Sequence, residues 1–158
     1  MKFLRTIRLD DSDAQVYEPA AEPGEWAVPG SFAFLDVPSD ELTGKTLQAF
    51  SHGFLGTRTF GWSTLVEIAE ISDDEFQEVV DRLAAHFMQR YGAPHIAAAL
   101  PMAGDEADYA VTLCAYELHT LLAIERELGD EGIVESLKVI RPSAAGHDQL
   151  KIWGLAED

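Results

Sequence analysis

The chain has 158 residues, of which 47% are apolar and 25% are charged, a composition typical of a globular protein. Twenty-eight acidic residues against eleven lysines and arginines give a formal charge of −17, which disfavours nucleic acid and anionic membranes as partners. Cys114 is the only cysteine and excludes an intrachain disulfide. The length predicts a single domain over residues 1–158, and a chain of this size buries roughly 70% of its unfolded surface.

The N-terminal sequence MKFLRTIRLDD alternates apolar and charged residues and has no apolar core of a signal peptide. No run in the chain approaches the ~20 apolar residues that span a bilayer. We therefore expect a cytoplasmic protein without a membrane partner.

The first elements are predicted from alternation and turn residues. Apolar residues alternate over 3–9 and predict a strand, DDSD at 10–13 predicts a turn, and AQVY at 14–17 is interpreted as a returning strand. Three prolines and two glycines make 18–30 an irregular connection. The sequence SFAFLDV at 31–37 predicts a further strand that stops at Pro38.

A short helix is predicted from Thr43 to about Ser51, followed by a strand at 63–71. SDDE at 72–75 has the pattern of a capping box and predicts the start of a helix over 73–91. Its apolar residues recur at helical spacing: Phe76, Val79, Val80, Leu83, Phe87 and Tyr91.

The acidic sequence DEAD at 105–108 predicts the start of a second principal helix, over 105–118. Continuing that helix to Leu128 would place Glu125 within its apolar face, and burying an unpaired carboxylate is costly. We therefore predict that the helix stops near His119 and that a hairpin follows, with strands at 121–128 and 133–140. Pairing Leu128 with Ile133 sets a consistent register, with Arg126 opposite Glu135, Ile124 opposite Leu137 and Leu122 opposite Val139.

LKIWGL predicts a last strand at 150–154. Together these elements predict an α+β fold, in which a mainly antiparallel sheet packs against two principal helices.

No catalytic or metal-binding motif is recognisable. GKT at 44–46 resembles the end of a phosphate-binding loop, but Ser39 stands where the first glycine belongs, and Asp40 and Glu41 would repel a phosphate. The five histidines form no closely spaced ligand pair, and no nucleophile motif occurs. We predict no catalytic residue, no metal and no cofactor.

The stretch AFSHGFLGTRTFGWSTLVEI at 49–68 has two interpretations. In one, His52 and Arg58 lie beside Trp62 and bind an anionic ligand. In the other, which we favour, its aromatic residues fill the core and its glycines allow the chain to fold back. His119, near Glu117 at the predicted helix end, is a further ligand-binding candidate, although capping of the helix is favoured over acid–base chemistry there.

The sequences RTIRLDDSD, AAEPGEWAVPGSFAF, GFLGTRTFGWSTLVEI and ESLKVIRP resemble an uncharacterised family of proteobacterial proteins of unknown function. The resemblance covers most of the chain. It implies no activity and no catalytic residue. Genes of such proteins are expected near those of molybdenum-dependent, formate-dehydrogenase-type oxidoreductases and their accessory genes, which favours an accessory or assembly role.

The functional expectation is a non-enzymatic interaction or accessory protein that binds a protein partner or a second copy of itself. The alternative is a protein or enzyme that binds a small anionic molecule around His52, Arg58 and Trp62.

Overall fold

A computed structural model describes residues 1–140 and shows an α+β fold built on one antiparallel sheet. The seven strands lie in the order β4-β3-β2-β1-β5-β6-β7. They are β1 (Lys2–Ile7), β2 (Trp26–Val28), β3 (Phe54–Gly56), β4 (Trp62–Ser63), β5 (Leu65–Glu70), β6 (Leu121–Gly129) and β7 (Gly132–Ile140). The strand predicted at 150–154 lies outside the described residues.

Four α-helices accompany the sheet in the described part of the chain: α1 (Ser12–Val16), α2 (Gly44–His52), α3 (Asp73–Arg90) and α4 (Ile96–Thr112). The two longest, α3 and α4, pack against each other, and α4 also contacts β1 and β2. The face that α4 buries carries only small side chains: Ala99, Ala103, Ala107 and Ala110. This stripe lets the helix lie close to its neighbours.

The start of α3 is confirmed as a capping box. The Ser72 hydroxyl accepts the Glu75 backbone N–H at 3.1 Å, and the Glu75 carboxylate accepts the Ser72 N–H at 2.9 Å. Such a cap satisfies two of the amides that a helix N-terminus leaves without partners. The short helix predicted from Thr43 is also confirmed, as α2.

The strand predicted at 31–37 is wrong, because Ser31–Phe34 forms a 3-10 helix. The strand in this region is β2, which lies within the segment expected to be irregular. Gly30 adopts a left-handed φ of +83° directly after β2 and redirects the chain. The three residues of β2 are too few for a recognisable alternation, and their conformation is set by pairing with β1 and β3.

The returning strand predicted at 14–17 is also wrong, since α1 occupies Ser12–Val16. The buried Asp13 carboxylate accepts the Thr64 hydroxyl at 3.0 Å and the Thr64 backbone N–H at 3.3 Å. These contacts fix α1 beside Thr64, where the strand predicted at 63–71 divides into β4 and β5.

The second long helix runs from Ile96 to Thr112 rather than over 105–118. His95 caps it, with Nδ1 accepting the Ala98 N–H at 3.2 Å. Pro101 lies inside the helix, although an interior proline costs about 3 kcal/mol relative to alanine. The alanine-rich sequence around it and the packing of the alanine stripe offset that cost.

Candidate functional site

The hairpin of β6 and β7 is the most distinctive surface feature of the described chain. Its predicted register is confirmed at every pair, including Leu128 with Ile133 and Arg126 with Glu135. β5 pairs only with Leu121–Ala123 of β6, so the remainder of the hairpin extends beyond β5. There, α2 packs against β6, and β7 forms the outer strand of the sheet.

A buried arginine joins this hairpin to the end of α2. The Arg126 side chain has no exposed surface, and its Nε donates to the Glu135 carboxylate at 2.7 Å. Its other guanidinium nitrogens donate to the carbonyl oxygens of Phe50 at 2.9 Å, Ala49 at 3.4 Å and Pro29. Burial lowers the pKa of Arg126, and the bond to Glu135 opposes that shift. The guanidinium therefore holds the hairpin, α2 and the end of β2 together.

Two residues of α4 extend the same network. The Tyr109 hydroxyl donates to Glu135 at 2.8 Å, and burial together with that carboxylate raises the pKa of Tyr109 to about 12. Glu106 accepts the Gly30 N–H at 3.2 Å, and burial raises the pKa of this carboxyl. All these polar groups bond within the protein, which favours a structural role for the network.

A surface cavity of about 330 Å³ lies between the end of α2 and the hairpin. Its lining residues are Ser51, His52, Glu125, Arg126, Glu127, Val134 and Ser136. Of the two lining carboxylates, Glu125 pairs with Lys138, and the α2 carbonyl oxygens of Ala49 and Phe50 already accept bonds from Arg126. Beside His52, the cavity therefore offers an anion no unpaired lysine or arginine from residues 1–140.

The outer part of the hairpin combines unpaired acids with exposed apolar side chains. Lys138 pairs with Glu125 at 3.1 Å, whereas Glu127, Asp130 and Glu131 have no ion pair within residues 1–140. Leu128 is 50% exposed and Val134 is 52% exposed. We use the name hairpin surface for the outer edge of β7 together with four exposed side chains near it. These are Glu127 and Leu128 of β6, Glu131 of the turn and Val134 of β7.

Arg58 lies elsewhere, on the loop between β3 and β4. Its side chain is exposed, forms no ion pair within the described residues and lines a second cavity, of about 210 Å³. Arg82 lines this cavity as well, together with three carboxylates: Glu25, Glu75 and Glu78. A simple anion bound in this cavity would lie near carboxylates as well as near the two guanidinium groups.

The backbone of that loop already binds an anionic group of the protein itself. The buried Glu25 carboxylate accepts the N–H groups of Arg58 and Thr59, both at 2.9 Å, and the Thr59 hydroxyl at 2.6 Å. These amides resemble an anion-binding nest. Because Glu25 occupies them, the loop is a closed turn rather than an open cradle for phosphate.

The aromatic residues of the loop contribute to packing. Trp62 is 8% exposed, with its ring 5.1 Å from that of Phe34. A Cβ atom on Gly53 would lie 2.8 Å from the Trp62 ring, so a glycine is needed there for close approach. Phe60 stacks on His86 with ring centroids 3.8 Å apart, and burial lowers the pKa of His86 to about 4. Thus His52 lines the first cavity, Arg58 lines the second, and Trp62 lies in the core.

His119 lies on the loop that precedes β6, with a left-handed φ of +72°. Since α4 ends at Thr112, the predicted role of His119 as a cap of that helix is wrong. Its Nδ1 lies 3.1 Å from a Glu67 oxygen, and Arg5 donates to the other oxygen of Glu67 at 2.8 Å. Burial alone would raise the pKa of Glu67, but the bonds from Arg5 and His119 outweigh it and lower that pKa. The His119 side chain is 73% exposed.

The residue pattern pairs Arg126 with Glu135 but does not mark Arg126 as a buried residue. A signal was available, since Leu122, Ile124 and Arg126 follow one another on the same face of β6 and the first two are core residues. The contacts with the α2 carbonyls had no counterpart in the sequence, because they join segments about 76 residues apart.

Within residues 1–140, no helix is long and apolar enough to cross a membrane. In the same part of the chain, no three His, Cys, Asp or Glu side chains are grouped to hold a metal ion.

Comparison with family models places the whole chain, residues 1–158, in a family of unknown function, DUF6505. The chain belongs to this family, which agrees with the expectation of a family of unknown function. Neither the curated proteins nor the solved structures contain a match to this chain.

Proposed function

We propose that this chain is a protein-interaction module that binds a partner protein through the hairpin surface. The observation that carries the proposal is the nine-residue outer strand β7, whose outer edge pairs with no strand of residues 1–140. An unpaired strand edge is a common site for association with another chain. The accessory or assembly role implied by the family resemblance is one form of such a function.

The side chains around this edge support binding rather than simple solvation. Leu128 and Val134, on opposite faces of the hairpin, expose about half of their surfaces, and the nearby acids Glu127, Asp130 and Glu131 have no ion pair within residues 1–140. Apolar groups beside charged ones are the usual arrangement of a protein interface, with an apolar centre and a polar rim. The Arg126 contacts fix the hairpin against α2, so little conformational freedom is lost when a partner binds.

Site-specific photocrosslinking in the source cells tests this function. A photoreactive residue at Val134 is expected to capture a discrete protein, whereas the same residue at Leu35, which is 71% exposed, is not. Changing Glu127, the cross-strand neighbour of Val134, to Lys should abolish capture from Val134, and Glu41→Lys, at another exposed acid, is the matched control. Capture of the same products from positions 134 and 35, or no capture from 134, would contradict the proposal.

The second candidate function is binding of a small charged ligand at the Arg58 cavity. Its support is an exposed guanidinium that no described residue pairs with, next to Arg82 and Trp26. Because carboxylates also line the cavity, a ligand with both charges, such as an amino acid, fits better than a simple anion. A thermal-shift screen of amino acids and carboxylic acids tests it. Absence of a shift for the wild type, or a shift that persists in Arg58→Ala, would exclude this site.

A further inference from the structure

The outer edge of β7, which pairs with no strand of residues 1–140, is long enough to specify how a partner binds. Nine residues of strand extend about 30 Å, and the residues that do not bond to β6 direct their N–H and C=O groups outwards. β7 pairs with β6 in continuous register from Gly132 to Ile140, so no bulge interrupts the edge. An added strand could therefore pair along most of its length.

β7 lacks the features that usually block pairing at the edge of a sheet. Natural edges are commonly protected by proline, by a bulge or by unpaired lysine. β7 contains no proline, and its single lysine, Lys138, is held by Glu125 across the hairpin. The edge is thus chemically available to an extended backbone.

The charge around the edge selects the partner. Residues 121–140 contain five acids and two bases, and both bases pair with acids of the hairpin. The acids left over are Glu127, Asp130 and Glu131, and the whole chain carries a formal charge of −17. This field attracts basic segments, and it repels acidic segments and a second copy of the chain.

We propose that β7 binds an extended basic segment of a partner protein by strand addition, an inference that rests on the proposed interaction function. Side chains of an added strand alternate between the two faces of the sheet. On one face they lie beside Val134, Ser136 and Lys138, which pairs with Glu125. Glu127 lies on β6, about 10 Å from an added strand, within reach of a long basic side chain. On the other face they lie beside Ile133 and Leu137, which are half-buried. The partner segment therefore alternates basic and apolar residues.

A synthetic peptide tests the chemistry directly. The probe is RVRVRVRVR, blocked at both ends, with EVEVEVEVE as a charge control and RVRPRVRPR as a control that keeps the charge but cannot form a strand. The full-length chain is expected to bind only the first of these, measured by fluorescence anisotropy. Residue-resolved hydrogen exchange should then show new protection at the outward-facing amides of 132–140. Equal binding of RVRPRVRPR, or binding without protection, would mean charge attraction alone and would overturn strand addition.

Charge-reversed variants distinguish the effect of the acids near β7 from the effect of the net charge of the chain. Glu127→Lys with Glu131→Lys is expected to weaken binding of RVRVRVRVR roughly tenfold. Asp40→Lys with Glu41→Lys changes the net charge equally at distant exposed positions and should leave binding nearly unchanged. An equal loss in both variants would overturn the assignment to β7.

Three further outcomes are decisive. If the outward-facing amides of β7 are already protected without peptide, residues 141–158 or a second copy of the chain occupy the edge, and the proposal is overturned. If RVRVRVRVR does not bind while crosslinking from Val134 still captures a protein, strand addition by a basic segment is wrong but the interaction function stands. If neither succeeds, both proposals fail.

Discussion

Replacing Arg126 by methionine should be among the most destabilising single changes in this protein. The substitution keeps an unbranched side chain of similar length but removes every donor of the guanidinium. The Glu135 carboxylate, 14% exposed, loses its cation, and the carbonyl oxygens of Phe50 and Pro29 lose a hydrogen bond. Breaking a buried ion pair by removing one partner typically costs about 3–5 kcal/mol, because it leaves an uncompensated charge. We expect a loss in this range in the free energy of unfolding.

Urea unfolding followed by tryptophan fluorescence measures this loss. Lys138→Met is the matched control on the same hairpin, because its ion pair with Glu125 is about half exposed and should contribute less than ~1 kcal/mol. Adding Glu135→Gln to Arg126→Met should restore part of the stability, since a neutral amide leaves no unpaired charge. An Arg126→Met protein within about 1 kcal/mol of wild type, or a double variant less stable than the single one, would refute the reasoning.

Three further predictions follow from shifted pKa values. Burial raises the pKa of the Glu106 carboxyl, so the stability contributed by its protonated form is present below pH 4.5 and is lost as pH rises. Glu106→Gln should therefore unfold at a higher temperature than wild type at pH 7 but not at pH 4. Burial lowers the pKa of His86 to about 4, so the stability contributed by the neutral imidazole is present above pH 6.5 and is lost as pH falls. His86→Phe should therefore lose less stability than wild type between pH 7 and pH 5. An equal loss would contradict this. Burial raises the pKa of Cys114 to about 11. Iodoacetamide at pH 8 should therefore modify the folded protein far more slowly than the urea-unfolded one, as followed by mass spectrometry. Equal rates would show an accessible thiolate.

The hairpin could be predicted in detail because its information is local. Its two strands are adjacent in the chain, and the alternation of apolar and charged residues fixes one register. A slip of one residue would separate Arg126 from Glu135 and move Leu122 and Ile124 out of the core. The capping box at Ser72 is local in the same sense, and it too was predicted correctly.

The strands that prediction missed depend on distant partners. β2 and β3 have three residues each, and each becomes a strand only because neighbours on both sides satisfy its backbone. No three-residue pattern can specify such pairing. The opposite error occurred at 31–37, where apolar residues suggested a strand although the left-handed Gly30 redirects the chain into a 3-10 helix.

The candidate ligand residues show that proximity in the sequence of a loop does not place side chains in one site. His52, Arg58 and Trp62 are close in sequence, yet the fold directs them to two cavities and the core. They lie on different elements, His52 on α2, Trp62 on β4 and Arg58 on the loop between β3 and β4, whose amides bind the Glu25 carboxylate from a segment about 33 residues earlier. A glycine-rich loop whose amides are free cannot be distinguished by sequence from one that is closed by the protein's own anion.

The buried Arg126 also explains how the part of the hairpin beyond β5 is held in place rather than forming a mobile arm. A two-stranded hairpin is marginal in water unless something packs against it. Here β5 supports only the base, and the guanidinium bonds to α2 and to Pro29 support the part beyond β5. A hydrophobic residue in place of Arg126 could fill the space but could not bond to backbone carbonyls of two segments at once. The arginine therefore holds the edge of β7 in one orientation, which is the condition for strand addition at low entropic cost.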